Sequence, residues 1–244
     1  MATARTARVV NTEHTGAGTC VLELEPGEPL GFVGGQYVII DSGRTLPGGK
    51  AAKRAYSIWT SDAEQRRFRI AVKRIANGPV STFLHELAPG AAISFSGPWG
   101  KLGPGDGAAS ADGTTLILAT DTGISAALGL VQAARMRTLV PTTVLVWLQA
   151  PGDDFLPEPL VRAHVPPGCA ELRFAALPPV GHPERVPHAR AVLAAELARG
   201  RLARAFTSGD GAVNYALLDD LVAAGVPATR DSVESFFNMP KKSA

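Results

Sequence analysis

The sequence has two cysteines in 244 residues, Cys20 and Cys169, far apart and outside any Cys-x-x-Cys spacing. An iron–sulfur cluster, which normally takes four ligands, is excluded, and the two thiols read as incidental rather than as a disulfide. Charge of one sign is not in excess either: the net charge is +2, and Lys and Arg are scattered apart from Lys241 and Lys242. No electrostatic feature points to nucleic acid or an anionic membrane as a partner. No segment approaches the ~20 apolar residues of a membrane span, and the opening MATARTARVV lacks the apolar core of a signal peptide. A cytoplasmic protein is the resulting expectation. The five histidines have no metal-ligand spacing with carboxylates, so no metal site is expected, and GHPERVPH reads as a Pro-rich loop. Nucleophile elbow, Walker loop and internal repeat are all missing.

What is present is a globular composition, 45% hydrophobic and 19% charged, long enough for one large domain or two ordinary ones. The two halves follow different patterns. Up to about residue 103, the runs ARVVNTEHTG, TCVLELEP, GGQYVIID, RAYSIWTS, RFRIAVKRI and AAISFSGP are short and β-branched or aromatic. Gly, Pro and Asp separate them at nearly hairpin spacing, which predicts an antiparallel barrel or sandwich. One helix-like insertion, GPVSTFLHEL, interrupts them.

From Thr114 the apolar runs TTLILAT, TTVLVWL, ELRFAAL and RAFTSG suit strands buried on both faces. Helical stretches alternate with them: ISAALGLVQAARMR, PHARAVLAAELARG and GAVNYALLDDLVAAG. That alternation predicts a parallel sheet with helices on both sides. GKLGPGDGAASADG, residues 100–113, has linker composition, so the expected domains are 1–107 and 108–244.

Chemistry-bearing residues concentrate in the first half. In the KRAYSIWTS run, strand alternation puts Arg54 and Tyr56 on one face and Ala55 and Ser57 on the other. A guanidinium fork suits a phosphate or carboxylate, a phenol offers a flat apolar face, and a hydroxyl can bond a ring heteroatom. An edge strand with an exposed Arg and a half-buried Tyr has the same pattern. In NGPVSTFLHEL, a Gly-Pro turn leads to Ser81 at a helix start, where unpaired amides hold phosphate well, or where Ser81 is simply an N-cap. SGPWGKL, residues 96–102, closes the half with another Gly-Pro turn.

In order and spacing these segments resemble the ferredoxin–NADP reductase superfamily, the flavin- and pyridine-nucleotide-dependent reductases. That family carries an Arg-x-Tyr-Ser motif, a Gly-x-x-Ser helix start and a Gly-Pro-x-Gly turn on a six-stranded antiparallel barrel. The matching residues are Arg54-Ala55-Tyr56-Ser57, Gly78-Pro79-Val80-Ser81 and Gly97-Pro98-Trp99-Gly100. The resemblance implies a six-stranded barrel for FAD followed by an α/β domain with a five-stranded parallel sheet for NAD(P). It implies that Arg54 and Ser81 bind the flavin diphosphate, that Tyr56 packs on the ring and that Ser57 lies near its reactive nitrogen. Val72 and Lys73 are the further cofactor-binding residues it suggests. The Ser-Thr-Phe-Leu-His continuation is similar to the FAD form of the family rather than the FMN form.

The likeness extends through the second half with departures. The family's Gly-Thr-Gly-Ile-Ala-Pro turn is matched by Thr122, Gly123 and Ile124, but Asp121 stands for a Gly and Ala126 for the Pro. A carboxylate facing a diphosphate at ~5 Å is repelled by roughly 3 kcal/mol at an effective dielectric constant near ~20, unless a neighbouring Arg offsets it. The family's Cys-Gly-Pro reads Ser208-Gly209-Asp210, and DSVESFF resembles its final strand, with Glu234 as the acid and Phe236 or Phe237 as the aromatic over the flavin. By resemblance Ser57, Ser208 and Glu234 are the catalytic and orienting groups. The residues NMPKKSA run on past that strand and are expected to cover the flavin face. After the second parallel strand, WLQAPGDDFL has no base for a 2′-phosphate but carries Asp153 and Asp154, which suits a ribose hydroxyl and leans towards NADH.

The implied activity is hydride transfer from NAD(P)H to FAD, then electron transfer to a separate ferredoxin, flavodoxin or oxygenase component. Asp121, Ala126 and Asp210 motivate an alternative, a flavin-binding electron-transfer or assembly subunit with impaired NAD(P)H binding.

Overall fold

A computed structural model describes residues 4–15, 18–105, 112–153 and 155–239. The first half is a curled antiparallel sheet of β1 (Arg5–Thr15), β2 (Thr19–Pro26), β3 (Tyr37–Thr45), β4 (Ala51–Ser57), β5 (Phe68–Lys73) and β6 (Ala92–Trp99). Its order is β4-β3-β6-β1-β2-β5, so β4 and β5 are the two unpaired edges. Alternate residues point inward: Val9, Leu22, Leu24, Val38, Ile40, Phe68, Ile70 and Phe95 form the barrel core. The helix α1 (Pro79–His85) closes one end by burying Val80 and Leu84 in that core. Its N-cap is Gly78, with Pro79 at the first helical position; Ser81 lies inside the first turn, which corrects the N-cap reading.

The second half is parallel, as expected: β7 (Thr114–Thr120), β8 (Thr143–Gln149), β9 (Glu171–Ala176), β10 (Leu202–Asp210) and β11 (Val233–Phe237), in the order β11-β10-β7-β8-β9. Helices α2 (Ile124–Val131), α3 (Glu158–His164), α4 (Arg185–Arg199) and α5 (Gly211–Ala223) cover it. Alternation splits each central strand between two cores. Ile117, Ala119, Leu145 and Trp147 face one way, while Leu116, Leu118, Val144 and Val146 face the other. β9 departs from the doubly buried expectation: as the edge strand it is half-exposed along its length. Three helix limits also differ. The stretch expected to run to Arg137 leaves the α-helix at Val131, α3 was not legible, and α4 begins at Arg185, inside the segment read as a Pro-rich loop.

The expected boundary between residues 107 and 108, Asp154, and the end of the tail from Pro240 lie outside the described residues. Among the described residues no helix is long and apolar enough to cross a membrane. Cys20 and Cys169 are free thiols, and burial pushes Cys20 up to about 11.

The halves share a core rather than meeting through a loose contact. Val21, Trp59, Ala71 and Leu102 of the barrel side pack into the cluster built on Ile117, Trp147 and α2. The Trp59 indole lies against the His164 ring, 4.7 Å between centroids. The approach is closest at Gly129, where a Cβ would fall on the Ile58 carbonyl oxygen. Gly129→Ala is therefore expected to cost roughly 1–2 kcal/mol through forced separation of the two units. Chemical denaturation monitored on the intact chain checks this, and an unchanged midpoint would show that the interface yields freely.

Candidate functional site

A cavity of about 240 Å³ opens at the barrel seam, where the unpaired edges β4 and β5 face each other under α1. Arg54, Ala55, Tyr56 and Ser57 line it from β4, and Ala71 and Lys73 line it from β5. Gly78, Pro79, Val80 and Ser81 border it from the start of α1, Thr122 and Ser125 from the start of α2, and Phe236 and Phe237 from β11. The edge position explains the opening. Interior strands are flanked on both sides by ladder partners, whereas an edge leaves its side chains and backbone open to a ligand.

The polar groups in this cavity are poorly engaged by the protein itself. Arg54 is exposed and, among the described residues, donates only to the Lys53 carbonyl, at 2.8 Å. Helix α1 has no side-chain cap, and the first-turn amides of Val80 and Ser81 have no acceptor among the described residues. The Ser81 hydroxyl is already engaged, donating to the Gly78 carbonyl and accepting from the Ile75 amide, both at 3.1 Å. Ser81 thus offers its amide, not its hydroxyl. The Ser125 hydroxyl is buried without a partner, although a buried hydroxyl normally finds one. The Tyr56 ring is half-buried, and burial pushes its phenol well up, so it stays neutral.

Other expected residues fall elsewhere. Val72 is fully buried in the barrel core, and its carbonyl meets His85 Nε2 at 2.9 Å, so it does not line the cavity. Lys73 lines it but is paired with Asp153 at 2.5 Å, tying β5 to the loop after β8. Asp153 is thereby engaged by a lysine rather than open to a ribose. Gly123 is packed tightly on the Ser208–Gly209 backbone, and its carbonyl accepts the Ser208 hydroxyl at 2.9 Å. Ser208 is therefore a buried strut between β10 and the β7–α2 loop. Glu234, its neighbour in the β10–β11 ladder, sits beside Tyr37 and Gly100 rather than in the cavity. Burial raises its carboxyl to about 7. Ala71, Ser125 and Phe155 are lining residues that sequence reading missed; the signal for Ser125 was a lone hydroxyl in the apolar run ISAALGLV.

A second polar cluster lies at the carboxyl ends of β7 and β10, where the strand order reverses and α/β sheets form their ligand crevice. Asp121 follows β7 with φ 48, a left-handed position that Gly adopts freely and Asp tolerates. Its carboxylate is paired with the Arg185 guanidinium, whose Nε also donates to Asp210 at 2.7 Å. Arg185 donates in addition to the Pro178 carbonyl at 2.5 Å. All three side chains are buried. Burial pushes the Asp121 carboxyl up, with Arg185 pulling it down less strongly. Asp210 caps α5, accepting from the amides of Ala212 at 2.9 Å and Val213 at 3.3 Å. Asn238 donates to both Asp210 oxygens, at 2.9 and 3.1 Å. The first tail residues thus fold over the mouth of α5, not over the cavity beside Tyr56. Sequence reading singled out both acids and missed their cation.

Comparison with known proteins agrees with this fold. The family model described as Oxidoreductase FAD-binding domain matches residues 8–103. The chain is 39% identical over 105 residues to ferredoxin–NADP reductase B of Sorangium cellulosum, covering 42% of this chain and 40% of that protein. It is 32% identical over 96 residues to the ferredoxin–NAD(+) reductase component of the alkene monooxygenase system of Xanthobacter autotrophicus, covering 39% and 28%. The chain thus spans less than half the length of these two curated relatives. Among solved structures, the ferredoxin reductase in carbazole 1,9a-dioxygenase superposes with a TM-score of 0.74 at 23% identity, over 96% of this chain and 68% of that one.

The cavity's donor set fits FAD. A guanidinium without a carboxylate partner, two amides without an acceptor and a Ser125 hydroxyl without a partner, all among the described residues, suit a diphosphate and a polar ring edge, and the phenol ring and two phenylalanines suit a flat heterocycle. The cluster at the ends of β7 and β10 is different, because its guanidinium and the α5 amides already meet the chain's own carboxylates.

Proposed function

We propose that this chain, whose residues 8–103 match the oxidoreductase FAD-binding domain and whose two halves share the fold of a ferredoxin reductase, is an NAD(P)H-dependent flavoprotein reductase of that family. Residues 1–107 form the flavin unit in this reading and 108–244 the nucleotide unit. The chemistry FAD supplies when bound is acceptance of a hydride from NAD(P)H and release of electrons, singly or in pairs, to a separate acceptor. We take a ferredoxin, a flavodoxin or an oxygenase component as that acceptor; the names of the two curated relatives support a ferredoxin or a partner in an oxygenase system.

The residues divide the work. Arg54 and the amides of Val80 and Ser81 hold the diphosphate, with Gly78 and Pro79 setting the turn that aims those amides. Tyr56 and Ala55 support the ring, Ser57 bonds its edge, and Phe236 and Phe237 shield it from water. Thr122 and Ser125 contribute hydroxyls of the second domain to the same cavity. Gly123 and Ser208 act together as positioning residues, since the bond between them fixes the β7–α2 loop against β10. Glu234 is a proton-holding group near neutral pH, displaced from the ring pocket towards Tyr37.

One observation carries this reading: an unpaired Arg54, orphan amides of α1 and the Tyr56 ring converge on one cavity at the open seam of the barrel. Arg54→Ala is expected to weaken FAD retention about tenfold, the worth of a charge-assisted contact to phosphate. Flavin content after gel filtration measures it, and unchanged content would remove Arg54 from the diphosphate site. Anaerobic mixing of the yellow protein with NADH, then NADPH, tests the reductase reading: a flavin band that neither nucleotide bleaches within minutes overturns it. The Asp121–Arg185–Asp210 cluster favours a second reading, a flavin-binding electron-transfer or assembly subunit with weak nucleotide binding, and that outcome would support it.

A further inference from the structure

The sequence departures at 121 and 210 acquire a common meaning in three dimensions. They lie on different strands, yet both carboxylates converge on one guanidinium at the switch point of the sheet. A dinucleotide entering such a crevice needs donors for its diphosphate, normally a helix mouth or a cation. Both kinds are present, and Arg185 and the α5 mouth are both engaged. The α5 amides of Ala212 and Val213 donate to Asp210, and the Ala212 amide also donates to the Asn238 carbonyl, at 2.9 Å. Arg185 is clasped by Asp121, Asp210 and the Pro178 carbonyl. Met239 adds cover, with its sulfur and backbone packed against Gly211.

We propose that Asp121 and Asp210 hold Arg185 as a built-in occupant of the nucleotide crevice, so that a dinucleotide diphosphate enters only by displacing one of these carboxylates. The two acids are then specificity-determining residues that set nucleotide affinity, and Arg185 is the anion receptor they restrain. This inference rests on the reading of the second domain as a pyridine-nucleotide unit. Asp121 is the weaker clasp. Its carboxylate has one further donor, the Ala150 amide at 3.4 Å, whereas Asp210 is fixed by two helix amides and by Asn238. Displacement therefore proceeds at Asp121. It would be visible from Trp147, whose indole donates to the Asp121 carbonyl at 2.9 Å.

Isothermal titration of the FAD-loaded full chain with ADP-ribose, which carries the diphosphate but no nicotinamide, tests the proposal. Asp121→Gly suits the left-handed backbone at this position and leaves Arg185 paired with Asp210, so the fold is kept. The variant is expected to bind ADP-ribose about tenfold more tightly than the parent, because the competing state is removed. Adding Arg185→Gln should abolish the gain. Equal affinity in parent and Asp121→Gly, a gain that survives loss of Arg185, or undetectable binding in every form would each overturn the proposal. The heats do not involve electron transfer. Failure of the reductase reading would instead appear as absent flavin, or as a flavin band that neither nucleotide bleaches.

Discussion

Arg185→Met is expected to destabilise the protein by about 4 kcal/mol, the range measured when one partner of a buried ion pair is removed. Methionine matches much of the arginine's length, so the loss reflects charge rather than volume. Two buried carboxylates would be left facing each other's field, and Asp121 would have almost nothing in compensation. Desolvation already pushes Asp121 towards its neutral form, and without the guanidinium it would take up a proton. Asp210 would suffer less, because two helix amides and Asn238 still meet it. The second substitution Asp121→Asn should therefore restore much of the stability lost in Arg185→Met, whereas a cavity or folding defect would not be rescued. Urea denaturation followed through tryptophan fluorescence, to which the buried Trp59 and Trp147 both contribute, reads both. A loss below about 1 kcal/mol would mean that the cluster's desolvation cost nearly cancels its attraction.

The second large effect concerns Glu234. Burial lifts its carboxyl from an ordinary 4.5 to about 7, so the folded protein resists ionising it. Because the folded value lies above the unfolded one, the associated stability is fully present below about 4.5 and is lost as pH rises through about 7. Glu234→Gln keeps the shape and removes the titration. The variant should match the parent near pH ~4.5 and exceed it by about 2–3 kcal/mol at pH ~8. Denaturation midpoints of the two proteins across that interval give the difference directly. Parallel curves at all pH values would falsify the raised carboxyl. The charge matters locally as well, since Tyr37 is pushed up first by burial and then by Glu234. A proton-holding carboxyl at neutral pH, beside a residue that ladders with Ser57, stands one strand away from the cavity that Ser57 lines.

Much of the barrel site was legible in the chain itself. Arg54, Tyr56 and Ser57 lie on one strand, and Gly78 to Ser81 make one turn, so local spacing carried them to one cavity. The Ser81 contribution was legible in position but not in detail, because the engagement of its hydroxyl by Gly78 and Ile75 depends on how the turn closes. Val72 was misplaced for a similar reason. Strand alternation turns it into the core while Ala71 and Lys73 face the ligand side. Arg185 was illegible: a lone Arg between prolines reads as loop, and its partners lie 64 and 25 residues away.

The sequence by itself determined an antiparallel six-stranded half and a parallel half, the strands of each, and the Arg-x-Tyr-Ser edge that lines the cavity. Those features follow from side-chain period and turn residues, which act over a few neighbours. Only the tertiary structure decided what the acids at 121 and 210 do. The sheet order sets β7 beside β10, and that adjacency, rather than anything along the chain, brings two carboxylates to one guanidinium.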